Sequence, residues 1–466
     1  MNVLCFDISS GGLSAAIFNE ELAASHLIET AWQIPVEEDG SAVLDVKTFE
    51  AAFSNSCRGT VRPVHIDAIS FSAFMHNFLL LDASDRPLTP IFTWLDSRGS
   101  DGVDRIRSQF GSSFHERTGC RYHPMFPVFK LASLRVPGAQ RVGTAKSFAI
   151  AMLTGHWVED HGTASATGLY NIRGAIWDRD IMNAVKLSPS ALPPLVERDD
   201  VAGYLTPEAA SRFGIPAGTP VIAGSGDGFL ASLGSGCENP SRLAATLGTS
   251  SSARRVLPHP VLVEATGTFC YRINSINNEL FLLGCASSNG GNVLDWARSI
   301  FGPLPEQSTA RTDLPTFIPL LNGERSPDWN PALTAAWHGI NARHTAADLA
   351  YSVIDGVVFN LAHYIDILDR ASGVRPNEVV LSGNGFLNRA ALETLAAVLD
   401  GKVLRPPNQG LASLRGAAVC GLKTFGVNTA AEVERLVNES DVVPAINTAQ
   451  ARERYSRYRM LREKTS

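Results

Sequence analysis

The feature that most restricts the fold is a strand, a loop of small residues and a second strand, present twice. Val3-Leu-Cys-Phe-Asp7, Ile8-Ser-Ser-Gly-Gly12 and Leu13-Ser-Ala-Ala-Ile-Phe18 form the first copy. Leu243-Ala-Ala-Thr-Leu247, Gly248-Thr-Ser-Ser-Ser252 and Ala253-Arg-Arg-Val-Leu257 form the second. Each reads as a hairpin with an open Gly/Ser loop. Two such units in opposite halves of a 466-residue chain hint at duplicated lobes. A chain this long also exceeds what one hydrophobic core organises. Two lobes facing a cleft are expected, an arrangement that suits a small-molecule enzyme.

The rest of the chain alternates strand and helix patterns. Strand candidates are Ile66-Asp-Ala-Ile-Ser-Phe71, Phe78-Leu-Leu-Leu-Asp82, Thr219-Pro-Val-Ile-Ala223 and Val379-Val-Leu-Ser-Gly383. From Ala346 to Arg370, Leu349, Val353, Val357, Leu361, Ile365 and Leu368 recur at helical spacing. A further helix is predicted near Arg389 to Leu399, and mixed α/β lobes follow. The last segment, Arg452 to Lys464, places Tyr455, Tyr458 and Leu461 on one face among basic residues and predicts a solvated terminal helix. The turn-rich run Gly234-Ser-Gly-Cys-Glu-Asn-Pro240 predicts a division into residues 1–235 and 236–466.

Composition removes several classes of function. A net charge of −6 supplies no broad positive field for nucleic acid or anionic lipid. The seven cysteines are scattered and never spaced Cys-x-x-Cys, so neither a disulfide framework nor a zinc site is indicated, and a reducing cytoplasm is the natural compartment. No apolar run of roughly 18 residues suggests a membrane span. The P-loop and dinucleotide-binding patterns are both absent.

What remains is a set of small-residue loops at the ends of apparent strands: Ser9, Ser10, Gly11 and Gly12; Gly224 to Gly228; Gly248, Thr249 and Ser250 to Ser251; and Ser382 to Gly385. Backbone amides in such turns can converge on an anion, although Gly and Ser dominate ordinary tight turns as well. Asp7 and Asp227 both stand where a strand gives way to such a loop. From there a carboxylate can reach Mg²⁺ or take a hydroxyl proton; Asp as a turn former is the alternative. His76, among Phe71-Ser-Ala-Phe-Met-His-Asn-Phe-Leu79, is either a satisfied core histidine or a ligand. Thr93-Trp-Leu-Asp-Ser-Arg98 combines an aromatic platform, a carboxylate and a guanidinium, which suits a polyhydroxylated ligand; Asp96 as a helix cap is the competing reading.

Taken in order, these elements resemble the FGGY family of carbohydrate kinases. Asp7-Ile-Ser-Ser-Gly11 resembles its opening loop, Met75-His76 and Trp94-Leu-Asp-Ser-Arg98 its sugar-facing elements, Gly226-Asp227 its catalytic loop and Leu247-Gly-Thr-Ser250 its phosphate loop. Asn289-Gly290-Gly291 and Gly383-Asn384-Gly385, with Asn388 beyond, resemble its adenosine-side elements, and Gly323-Glu-Arg-Ser-Pro327 another landmark. The resemblance implies two ribonuclease-H-like, actin-type α/β domains closing over ATP, Mg²⁺ and a sugar. In that reading Asp227 is the base, Asp7 and Asp227 hold the metal, and Met75, His76, Trp94, Asp96 and Arg98 meet the substrate. It implies no nucleic-acid or membrane partner and allows a homodimer.

Within the family, His123-Pro-Met-Phe-Pro127, the run Asp160 to Asn171 and Gly267-Thr-Phe-Cys-Tyr271 look most like gluconate kinases, with xylulokinases next. Lys146, Arg98 and Arg121 are cations that could meet a sugar acid's carboxylate or serve structure alone. Two positions depart from the family pattern: Ser9 stands where a Gly is expected and Ser14 where a Lys or Arg is expected. Both touch phosphate handling, so a ligand sensor that kept the fold is one competing reading; an actin-like ATPase, which the fold alone would permit, is the other.

Overall fold

The computed structural model describes residues 1–60 and 64–465. Two mixed α/β sheets dominate it, and they repeat one strand order. In the first, Val3–Ile8 is antiparallel to Gly12–Phe18 and parallel to Ala68–Ala73, which runs parallel to Pro220–Gly226. Ala24–Ala31 extends one edge and Val201–Tyr204 the other. In the second, Arg242–Leu247 is antiparallel to Ser251–Leu257 and parallel to Glu378–Ser382, which is followed by Lys402–Arg405. Phe281–Ser287 flanks Ser251–Leu257, as Ala24–Ala31 flanks Gly12–Phe18. The two hairpins of the sequence thus open the two sheets, in the ribonuclease-H-like order that the resemblance implied.

Each sheet is covered by helices that bury its apolar residues. The second core is built on a 27-residue helix, Ala346–Ser372, in which Val353, Ile354, Val358 and Leu361 have no solvent exposure. Its start is fixed by a capping box between Thr345 and Asp348, and its end by Gly373 at φ +69°. The chain then crosses back, and Ala412–Thr424 packs on Val3–Ile8, Ala68–Ala73 and the helix Asp227–Gly234. This crossing pair joins the lobes. A Cβ on Gly234 would lie 2.1 Å from the Ala412 carbonyl oxygen, and one on Gly416 2.1 Å from that of Leu230, so the two helices touch through bare backbone.

The terminal helix, Thr448–Thr465, differs from the solvated one expected. Its Arg454 pairs with the buried Asp355 at 2.6 Å, and Arg462, with no exposure, pairs with Asp328. Basic residues read as a wet face are here the helix's anchors, because acidic partners lie on the elements beneath it. Among the described residues no helix is long and apolar enough to cross a membrane, and all seven cysteines are free and buried.

Candidate active site

The run Gly224-Ser-Gly-Asp-Gly228 turns the strand Pro220–Gly226 into the helix Asp227–Gly234, and each glycine has its own steric cause. Gly224 sits at φ +61° where the ladder shifts register, and a Cβ there would lie 1.7 Å from the Phe71 carbonyl oxygen. A Cβ on Gly226 would press on Met75 at 2.8 Å, and one on Gly228 would lie 2.8 Å from Nε of Arg254. Asp227 stands between them, and its Oδ1 accepts the Gly228 N–H at 2.6 Å. Burial pushes its carboxyl up, opposed by the Arg254 guanidinium and that backbone bond.

Asp227 faces a cavity of about 130 Å³ that both lobes line. The first lobe contributes Ser9, Ser10, Met75, His76 and Trp94, and the second Ser250, Ser252, Arg254, Tyr271 and Arg325. Sequence elements that the resemblance read as sugar-facing and phosphate-facing therefore line one cavity. His76 holds a left-handed φ of +63°, a conformation that costs energy for a non-glycine residue and collects at functional sites. Its Nδ1–H donates to the Ala166 carbonyl at 2.7 Å, which leaves Nε2 with its lone pair. Burial holds this imidazole down at about 3, so it is neutral near pH 7. The three segments that look most like gluconate kinases also converge here: Met125 and Phe269 line the cavity, as does Tyr271, and Ala166 holds His76.

Asp7 lies on the central strand opposite Ser14 and accepts the Ser72 hydroxyl at 2.6 Å. Burial pushes its carboxyl up to about 7, the Ser72 bond opposes this, and the charge of Asp227 adds to it, so the two carboxylates share one region. Among the described residues no cluster of three or more His, Cys, Asp or Glu forms a closed metal cage. A pair of carboxylates with room for phosphate and water fits Mg²⁺, which keeps several waters and takes one or two protein carboxylates.

In the first loop, Ser9 N–H and Oγ–H both donate to the Gly12 carbonyl, at 2.8 and 2.9 Å, and Gly11 N–H donates back to Ser9 Oγ at 3.2 Å. Ser9 is not among the residues with positive φ, so the serine closes the loop without backbone strain. Trp32 braces Ser10 and Gly11 through bonds to their carbonyls at 3.1 Å. On the opposite lobe, three glycine turns stack edge to edge. Gly291 N–H donates to the Gly248 carbonyl at 2.7 Å, and Asn292 N–H to that of Thr249 at 3.2 Å. Cβ atoms on Gly290, Gly383 and Gly385 would meet Ser250 or Leu247 at 2.5–2.6 Å. Asn384 stands in the same turn, its side chain outside the described residues. Asn388 caps the helix Arg389–Val398 by accepting from Ala391 N–H at 2.9 Å, and donates to the Pro305 carbonyl.

Other sequence candidates point elsewhere. Asp96 is fully buried, bonded to the Arg98 guanidinium at 2.6 Å and to the backbone N–H groups of Ala42 and Arg98, each at 3.1 Å. It pins a turn beneath Trp94 and neither it nor Arg98 lines the cavity. The helix-cap alternative fails as well, since the following helix, Ser100–Phe110, has Gly99 at its N-cap and no side-chain cap. Lys146 is locked between Asp160 at 2.6 Å and Glu159 at 3.0 Å with no exposure. Arg121 spans the lobes to the carbonyls of Thr268 and Val263. The cations that do line the cavity are Arg254 and Arg325; the sequence placed the first in the second hairpin and the second in the Gly323–Pro327 landmark without a role for either, because neither a strand pattern nor a short run signals that a side chain faces the partner lobe.

The comparisons with known proteins agree with this geometry. A model of the N-terminal domain of the FGGY family of carbohydrate kinases matches residues 2–234, and that of the C-terminal domain matches residues 243–425. A gluconokinase of Bacillus subtilis (strain 168) is 27% identical over 406 residues, covering 81% of this chain and 78% of its own length. A xylulose kinase of Streptomyces coelicolor is 30% identical over 378 residues, covering 79% and 76%. The crystal structure of a gluconate kinase from Lactobacillus acidophilus shares the fold with a TM-score of 0.91, at 23% identity over 99% of this chain and 98% of that one. With both halves matched by one family and the cleft between them built from its elements, the chain belongs to the FGGY family of carbohydrate kinases, ATP-dependent sugar phosphotransferases.

Proposed function

We propose that this kinase transfers the γ-phosphoryl of ATP to a hydroxyl of a sugar acid, gluconate first, with xylulose or another ketose or polyol as the next candidates. The observation that carries this reading is the meeting of Asp227, His76 and Trp94 with the Ser9–Ser10 and Ser250 loops around one cavity. A gluconokinase and a xylulose kinase among the relatives support the same choice.

In this reading the substrate lies against Trp94 and Met75. His76 Nε2 accepts one of its hydroxyl protons, since Nδ1–H is already committed to Ala166. Asp227 Oδ1 is committed to Gly228 N–H, so Oδ2 takes the proton of the attacking hydroxyl. Asp7 and Asp227 are the residues that would hold Mg²⁺, which neutralises charge on the transferring phosphoryl when bound. The backbone of Ser9–Gly12 and Gly248–Ser250 takes the phosphates, and the turns at Gly290–Gly291 and Gly383–Gly385, packed closely on Gly248, Ser250 and Leu247, form the adenosine side, with Asn388 capping the helix beyond them. Position and fixed charges supply most of the rate, because phosphoryl transfer asks little covalent chemistry of the protein.

Asp227→Asn tests the assignment. The variant is expected to lose about 10²–10⁴-fold in kcat, the usual contribution of a general base, while gluconate binding measured by calorimetry persists. Turnover at the wild-type rate would remove Asp227 from this role.

A further inference from the structure

Two arginines in the cavity feel nearby carboxylates, Asp227 for Arg254 and Glu324 for Arg325, without bonding to them. Arg254 and Arg325 line it, yet neither forms an ion pair among the described residues. The Nε of each is buried with no hydrogen-bond partner, and the buried hydroxyl of Tyr271, beside them, has none either. Buried donors left in this state are costly unless a ligand supplies acceptors. The remaining contacts are few. Arg325 lies over the Trp94 ring at 4.6 Å and donates from Nη2 to the Ser287 carbonyl at 2.6 Å, and Arg254 reaches Thr246 Oγ1 at 3.4 Å. The nearby Glu324 is already occupied by Tyr364, Asn360 and the Arg325 backbone N–H.

The placement of each guanidinium is built in. Arg254 occupies the space that any side chain at position 228 would fill, and Arg325 is held flat against an aromatic face. Among the charged residues lining the cavity, two cations stand against the single carboxylate of Asp227, with His76 neutral. This excess of donors and positive charge sits among Trp94, His76, Tyr271 and Trp329, with Ser9, Ser10 and Ser250 of the two small-residue loops lining the same cavity. A neutral sugar would leave it uncompensated. A carboxylate, which accepts two parallel N–H bonds from a guanidinium, would satisfy it.

Building on the kinase reading above, we infer that Arg254 and Arg325 form a carboxylate clamp that selects aldonic acids over neutral sugars and polyols. They are specificity residues; Asp227 remains the base.

The test compares gluconate with glucitol, which has the same carbon chain with a CH₂OH in place of the carboxylate. Steady-state kinetics are measured on the full chain for the wild type, Arg254→Gln, Arg254→Lys and Arg325→Gln, and gluconate affinity is measured by calorimetry, which needs no turnover. The wild type should prefer gluconate. Each Gln variant should lower the gluconate-to-glucitol ratio of kcat/KM by about 10–100-fold, the worth of one charge-assisted contact, mainly through KM. Arg254→Lys should recover part of that loss, and gluconate affinity should fall by a similar factor in the Gln variants. An equal fall in kcat on both substrates would overturn the clamp and move the arginines to the phosphoryl group. So would a wild type that phosphorylates ketoses or polyols but not aldonates, an outcome that leaves the kinase reading intact. Should the wild type turn over no sugar at all, the kinase reading falls. The clamp then stands only if gluconate binds and the Gln variants weaken it, and unchanged affinity ends it too.

Discussion

At the scale of single residues, Asp7 makes the sharpest prediction. Its carboxyl is pushed up to about 7, mainly by burial. A carboxyl raised in the folded state contributes stability that is complete below its ordinary value near ~4 and is lost as pH rises through the folded value. The ligand-free protein should therefore soften between roughly pH 4 and 7, and Asp7→Asn should melt higher than the wild type above pH 7, the gap closing toward about pH 4 in a thermal scan. The same variant should lose kinase activity at every pH. Asp227, Met75, His76 and Trp94 were legible in the sequence because each sits beside a strand end with a distinctive neighbour. Asp96 and Arg98 were equally conspicuous, but their attraction for each other, two residues apart, turned them away from the cavity. Arg254 and Arg325 fell within named runs, but that they face the cavity was illegible, since what places them is an empty position at Gly228 and an indole at Trp94 far along the chain.

Among elements, the buried network beneath the strand that leads to Asp227 and the crossing helices carry the predictions. Lys146 bonds both Asp160 and Glu159, holding the Asp160 carboxyl down while burial pushes that of Glu159 up, and Asp160 in turn accepts the Ser225 hydroxyl at 2.5 Å, two residues before Asp227. Lys146→Met leaves both carboxylates buried and unpaired, at a cost of about 3–5 kcal/mol, read as a lower urea midpoint. At the helix crossing, Gly416→Val drives a side chain into the Leu230 carbonyl and should cost about 1–3 kcal/mol, with kcat falling as the lobes lose their close contact. The hairpins and the long helix were readable from local pattern: Ala346–Ser372 extends two residues past the predicted end, to a Gly cap. The return of Ala412–Thr424 to the first sheet was not readable, because nothing local distinguishes an apolar helix that packs on its own half from one that packs on the other. The terminal helix was misjudged for a related reason, its arginines being paired with acids on distant elements.

For the molecule as a whole, the account is of two lobes from one repeated plan, closing on a cavity where neither lobe alone has a complete site. Closure matters because water competes with the sugar hydroxyl for the phosphoryl group, so attack should be permitted only once substrate fills the cleft. The departure at Ser9 does not argue for a dead site: the serine closes its loop without strain, and Asp7 stays close enough to Asp227 to feel its charge. The most direct test is ADP release with ATP and Mg²⁺ across pentoses, hexoses, ketoses, polyols and aldonic acids. The account predicts release that is low without sugar and strongly stimulated by an aldonic acid, gluconate above the others. Release that is constant whatever sugar is added, or absent with all of them, would contradict it.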